Sequence, residues 1–210
     1  MGVIKRGILG GFSGRVANVV GSSWKGIAYM KSLPLSVANP QTAGQTTQRN
    51  AFTAAVFAAT STLTTWIKPL WDRFAQQMSG YNDFVSRNVE FFVDGVLTVP
   101  SSLKASVGIL FVSPILDLSA SVGTGHIDIE LSTANGTNGA ATDDVYILVF
   151  NSTKTTWKGY SNVTTRSVGN FFVADATMEV GDELDVWASF RKADGTIVSN
   201  SVYDTTVVGA

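Results

Sequence analysis

Beyond Pro100 the chain repeatedly changes sides at every residue. In 126–132 the apolar Ile127, Ile129 and Leu131 alternate with His126, Asp128 and Glu130. That period of two belongs to a strand with one dry and one wet face. The run DVWASF at 185–190 is read in the same way. Between such runs lie clusters of Gly, Asn, Asp and Ser at intervals suited to a sandwich. The segments 115–121, 126–132, 145–151, 171–177, 184–191 and 197–208 are the expected strands, and Lys192-Ala193-Asp194-Gly195 is the expected hairpin turn. The reading for 96–210 is an Ig-like or fibronectin-like β-sandwich of about seven strands without a cysteine pair.

Ahead of Pro100 the spacing is helical. A helix is predicted over 41–66, with Thr42 as cap and Phe52, Val56, Ala59, Leu63 and Trp66 as its apolar stripe. A second is predicted over 69–78, opened by Pro69 and closed by Ser79-Gly80, and a third over 81–91. Trp66, Leu70, Trp71, Phe74, Tyr81, Phe84 and Phe91 would form the aromatic centre of a small bundle spanning 41–95.

Residues 7–26 hold six glycines among Ile8, Leu9, Phe12, Val16, Val19, Val20 and Trp24. A flexible linker has no use for so many large apolar groups, so short strands are expected near 14–21 and 24–32. Such strands have unpaired edges and need a partner. Residues 1–40 are therefore read as a docking arm, with Ile8, Leu9, Phe12, Arg15, Val19, Val20, Trp24 and Lys25 as the candidate assembly interface. The fold class is α+β in several parts: β arm, helical bundle, sandwich.

Charge divides the same way. The first carboxylate is Asp72, so residues 1–71 carry seven uncompensated cations, whereas fourteen carboxylates face six basic residues from Glu90 onward. Two readings stay open: the basic end contacts nucleic acid, or it meets the acidic end of a neighbouring copy.

Composition narrows the chemistry. There is no cysteine among the 210 residues, which removes disulfides and every thiolate site, and the single His126 rules out a multi-histidine metal site. His126 is expected to face solvent. Asp143-Asp144 and Asp182-Glu183-Asp185 invite a calcium reading but lack the spaced loop pattern, and the expectation is no metal and no cofactor. The GGFSGR glycines lack the Gly-Lys-Ser/Thr ending of a phosphate loop. Trp157 and Tyr160, read as lying on or beside a turn, are the candidate pair for stacking on a sugar. Asn135, Asn151 and Asn162 match the glycosylation pattern but are read as turn residues. No secretory leader and no membrane span are expected, since the apolar stretch 51–67 is broken by six hydroxyl residues.

Four stretches, GILGGFSGRVANVVGSSWKGIAYMKSLP, NPQTAGQTTQRNAF, SGYNDFVSRN and GDELDVWASFRKADGTIVSNSVY, resemble a bacterial and phage-associated family known only as a domain of unknown function. Members usually have Val-Gly-Asn-Val-Val where this chain has Val16-Ala17-Asn18-Val19-Val20. The resemblance implies no activity. The chain is expected to be a non-enzymatic structural protein, a bacteriophage virion component serving as capsid decoration, connector, or tail or fibre attachment. Its partners would be copies of itself or other phage structural proteins, after assembly in the host cytoplasm. The alternatives are a bacterial surface adhesion or glycan-binding module, and nucleic-acid contact by the basic end.

Overall fold

The computed structural model describes residues 3–4, 11–34, 36 and 39–210, with side chains from 11 onward. It divides into two units, 1–42 and 43–210. The first holds four short strands, β1 (Val3–Ile4), β2 (Phe12–Val16), β3 (Val19–Trp24) and β4 (Ile27–Ser32), in one antiparallel sheet ordered as in sequence.

The second unit begins with α1 (Ala43–Ser61), a π-helical turn at Leu63–Ile67, α2 (Lys68–Trp71) and α3 (Gly80–Asn88). A two-stranded ribbon, β5 (Phe92–Val93) and β6 (Val96–Leu97), turns through Asp94-Gly95, both at positive φ. Seven longer strands follow: β7 (Ile115–Ser121), β8 (His126–Leu131), β9 (Asp144–Asn151), β10 (Thr156–Thr165), β11 (Asn170–Ala174), β12 (Glu183–Arg191) and β13 (Val202–Val207). They form two antiparallel sheets, ordered β11-β8-β7 and β10-β9-β12-β13. The unit is thus mixed α and β, mostly strands, with a few helices.

Layering follows from burial. Ile127, Ile129, Val145, Ile147, Val149, Val186 and Phe190 make a core between the two sheets. Tyr146, Leu148, Phe150, Trp157 and Trp187, on the opposite face of the four-stranded sheet, belong to a second core with Trp66, Leu70, Trp71 and Phe84. The expected aromatic centre of a separate bundle is instead this shared interface between helices and sheet. DVWASF correspondingly has no wet face: both Trp187 and Ser189 are fully buried.

Alanine, not phenylalanine, faces inward on α1. Ala51, Ala55, Ala58 and Ala59 are buried, while Phe52, expected in the stripe, is half exposed. Small side chains let the helix lie close to its neighbours. The second helix is also shorter than expected, because the chain leaves α2 at Trp71 and turns so that Asp72 accepts a hydrogen bond from Gly80 N. The segment from Pro100 to Ala105 joins the layers. Trp66 Nε1 and Trp71 Nε1 both donate to Ala105 O, at 2.7 and 2.8 Å. Trp187 Nε1 donates to Pro100 O, and buried Asn88 holds Lys104 through both its amide groups.

The strand β10 was not among the sequence-based expectations. Gly159 lies within it, and a Cβ there would lie 2.5 Å from Thr65 Oγ1. The glycine serves close approach of helix and strand. Farther along, the pairing of β10 with β9 slips between Tyr160 and Thr164, where Asn162 takes positive φ.

One ion pair is sealed inside. Arg166, fully buried, meets Asp143 Oδ2 at 3.2 Å, donates to Ser113 Oγ, Ala134 O and Phe111 O, and lies 3.9 Å from the Phe190 ring centroid. Burial pulls the guanidinium pKa down, and Asp143 works in the other direction. Asp143 Oδ1 is buried without a hydrogen-bond partner among the described residues, so the pair is not fully compensated there. Arg166→Met should therefore cost about 3–5 kcal/mol in urea unfolding by stranding the carboxylate, while Arg166→Met combined with Asp143→Leu should recover most of that loss.

Candidate assembly interface

The described residues of the first unit form a single layer. Gly21 is the one fully buried residue among its described residues, and β4 is exposed throughout. Strand pairing sorts its side chains onto two faces. Arg15 lies opposite Val20 and Val20 opposite Lys31, while Ser22 faces Tyr29 and Trp24 faces Ile27. One face thus carries Arg15, Val20, Lys31, Tyr29, Trp24 and Ile27. The other carries Phe12, Val16, Val19 and Met30, with Phe12 lying over Gly21.

Trp24, Ile27 and Met30 are 65, 68 and 71% exposed. Lys25 Nζ sits 4.8 Å from the Trp24 ring centroid. A one-layer sheet with large apolar groups in water on both faces has little core of its own to hold it together.

The structure brings together six of the eight candidate interface residues: Phe12, Arg15, Val19, Val20, Trp24 and Lys25. Ile8 and Leu9 lie outside the described residues. Arg15, Val20 and Trp24 share one face, Phe12 and Val19 occupy the other, and Lys25 stands in the β3–β4 turn. Sequence reasoning missed Ile27, Tyr29, Met30 and Lys31. The signal was present: the Lys25-Gly26 turn, with both residues at positive φ, folds IAYMKS back beside β3. The expected strand boundaries also shift. What was read as one strand over 14–21 is two, broken at Ala17-Asn18.

The other candidate sites are occupied structurally. Asp182 accepts from Asn151 and the Glu179 amide and pairs with Lys154 at 2.9 Å. Burial pushes its carboxyl up, but these partners outweigh burial and leave it below the usual carboxylate range. Asp185 accepts from the Tyr203 hydroxyl at 2.6 Å, and burial raises its pKa. Asp143 is held by Arg166. Among the described residues, no group of three or more acidic or histidine side chains is placed to hold a metal ion.

Trp157 stands just beyond the turn at 152–155, but it is not open to a ligand. It is a buried β10 residue stacked on Phe150, with ring centroids 4.3 Å apart, and followed by Trp187 at 5.8 Å. Tyr160 lies in the same strand and donates to Ala174 O. These two aromatics therefore do not form an open sugar platform. The hollow lined by Ala54, Phe57, Val96, Phe150 and Trp157 is about 90 Å3, below the roughly 300–1,000 Å3 of ordinary ligand pockets. His126 is half-buried rather than free in solvent, stacked on Phe172 at 3.9 Å. Asn151 is buried and committed to Asp182 and Lys154 N. Among the described residues, no helix is long and apolar enough to cross a membrane.

Comparison with known proteins adds a family. The model of the Family of unknown function (DUF6266) matches residues 11–205. No curated protein matches the chain. A solved structure with some likeness is the β-1,2-glucanase from Parabacteroides distasonis, at 17% identity and TM-score 0.36. The match covers 57% of this chain and 15% of that enzyme, and a likeness this slight says nothing of function.

Two predictions follow from these local arrangements. Ala17 sits at φ 49°, in the left-handed region that favours glycine. Ala17→Gly should stabilise the β2–β3 hairpin by about 1 kcal/mol, read as slower amide exchange over residues 16–20. Asp175 pairs with Lys158 and accepts from Thr177. Burial raises its carboxyl, but those partners outweigh burial and hold it below the ordinary value. Its contribution is thus present above about pH 4 and lost as pH falls through the depressed pKa. Asp175→Asn should cost about 2 kcal/mol at pH 7 and progressively less towards pH 2, checked by urea unfolding across that range.

Proposed function

The chain belongs to this family of unknown function, and we propose that it is a non-enzymatic structural protein whose N-terminal sheet docks it into a larger protein assembly. The observation that carries this reading is the sheet itself, one layer thick with Trp24, Ile27 and Met30 open to water. Apolar surface of that kind is stabilised by a protein neighbour, which removes it from solvent at about 25 cal/mol per Å2. The particle we propose is a bacteriophage virion. The neighbours would be copies of this chain or other phage structural proteins. The resemblance of the arm and central motifs to phage-associated sequences supports that setting.

We read the two large sheets as a fibronectin-like sandwich that the arm carries into the particle. Supporting this are the order β11-β8-β7 against β10-β9-β12-β13 and the apolar core between the sheets. The adhesion reading has less behind it, since Trp157 is consumed in the core. Nucleic-acid contact draws on Arg15, Lys31, Tyr29 and Trp24 sharing a face. Binding to DNA that weakens steeply with salt would be its mark.

Light scattering and sedimentation of the full chain beside the Trp24→Ser, Ile27→Ser variant test the assembly reading. Assemblies in the unaltered chain that dissociate in the variant, with near-ultraviolet circular dichroism of the second unit unchanged, are expected. A variant that assembles as well as the unaltered chain overturns the arm's role.

A further inference from the structure

The three-stranded sheet has an outer face left uncovered in the described structure. The four-stranded sheet is buried under helices on one side and under its partner sheet on the other. On the outer side of β7, β8 and β11 stand Asp117, Ser119, His126, Asp128, Glu130 and Phe172. Asp117, Asp128 and Glu130 are exposed, and no lysine or arginine of β7, β8 or β11 shares their face.

Two features make this an unusual face for open water. Asp117 lies directly opposite Glu130 across the β7–β8 ladder. Like charges in that position repel. Beside them Phe172 is 53% exposed, stacked flat on His126. Acid bordered by an aromatic anchor on the edge strand β11 is the complement of what the arm offers. There, Arg15 and Lys31 flank Val20 across three adjacent strands, with Tyr29, Trp24 and Ile27 continuing the same face.

We propose that the Arg15–Lys31–Trp24 face of the arm in one copy packs on the Asp117–Asp128–Glu130–Phe172 face of a second copy, sheet against sheet. This deepens the assembly reading and rests on it. Both surfaces are three strands wide, and strand spacing puts Arg15 and Lys31 about 10 Å apart, enough to bracket the carboxylates. Apposed sheets pack about 10 Å apart, within reach of Trp24 and Tyr29 side chains on one side and Phe172 on the other. The contact is heterologous: arm meets sandwich and leaves a free arm and a free sandwich face. It can therefore propagate as a filament or close as a ring. The cations relieve the Asp117–Glu130 repulsion, and the aromatic groups exclude water from the centre.

Charge exchange tests the pairing with full-length chains. Variant one is Arg15→Glu, Lys31→Glu; variant two is Asp128→Lys, Glu130→Lys. Sedimentation velocity at low salt should show each alone associating at least about tenfold more weakly than the unaltered chain. An equimolar mixture should regain association, because the acidic arm of the first fits the basic face of the second and the reverse contact is native in charge. Regained association also shows that both variants fold. Raising salt from about 50 to 500 mM should weaken the unaltered assembly several-fold.

If variant two alone associates like the unaltered chain, this docking is overturned while arm-driven assembly stands. The docking also falls if the mixture fails to recover while both variants keep native circular dichroism, or if the unaltered chain stays monomeric. If Trp24→Ser, Ile27→Ser associates normally, both this contact and the wider reading fall.

Discussion

The four-stranded sheet has no face turned to water, and the second unit is arranged around that condition. A strand in its middle must be apolar on both sides, which is why β9 reads VYILVF without alternation and β12 places Val186 and Trp187 side by side in sequence but in different cores. Antiparallel sheets commonly keep one wet face. Here helices take its place, and the polar groups they bring must be satisfied inside. Three indole N–H groups and the Asn88 amide all find partners in the short segment from Pro100 to Ala105. That segment has little regular structure, yet its carbonyls do for the helix–sheet contact what a ladder does within a sheet.

The first unit presents the reverse case. Its described residues show ordinary strand pairing and turns, but no second layer. Its cohesion rests on backbone hydrogen bonds and on a few cross-strand contacts such as Phe12 over Gly21. Hydrogen bonds contribute little net stability in water compared with burial. The difference between the units is therefore physical: one is closed by its own cores, and the other leaves large apolar side chains exposed.

Much of the second unit was legible because alternation and turn chemistry are local signals. The start of β7 at Ile115, the span of β8 and the Gly195 turn at φ 69° were all readable from neighbours in sequence. The losses have a common cause. Gly159 signals a turn in any local window, and only the helix pressing against it explains its place in β10. Phe52 outranks Ala55 on any hydrophobicity count, but tight packing against α1 selects the smaller side chain. Arg166 reads as a surface charge until Asp143, 23 residues earlier, is brought beside it. For the candidate interface, the glycine-rich pattern marks a strand-bearing stretch but not where its strands break, and which residues share a face depends on register, set by the two turns at Ala17 and Lys25.

The doubly covered sheet also limits how this protein can be recombined. A sandwich with one wet face can be moved between proteins as a cassette, cut at the loop before its first strand. Cut near residue 100, this one would bare Tyr146, Leu148, Phe150 and Trp187, a stripe of oily side chains across its middle strands. The natural seam for exchange is instead the junction at 42–43. An arm can be traded there without opening either core, so a lineage can vary the two faces of its first sheet while inheriting the helices and larger sheets as one indivisible block.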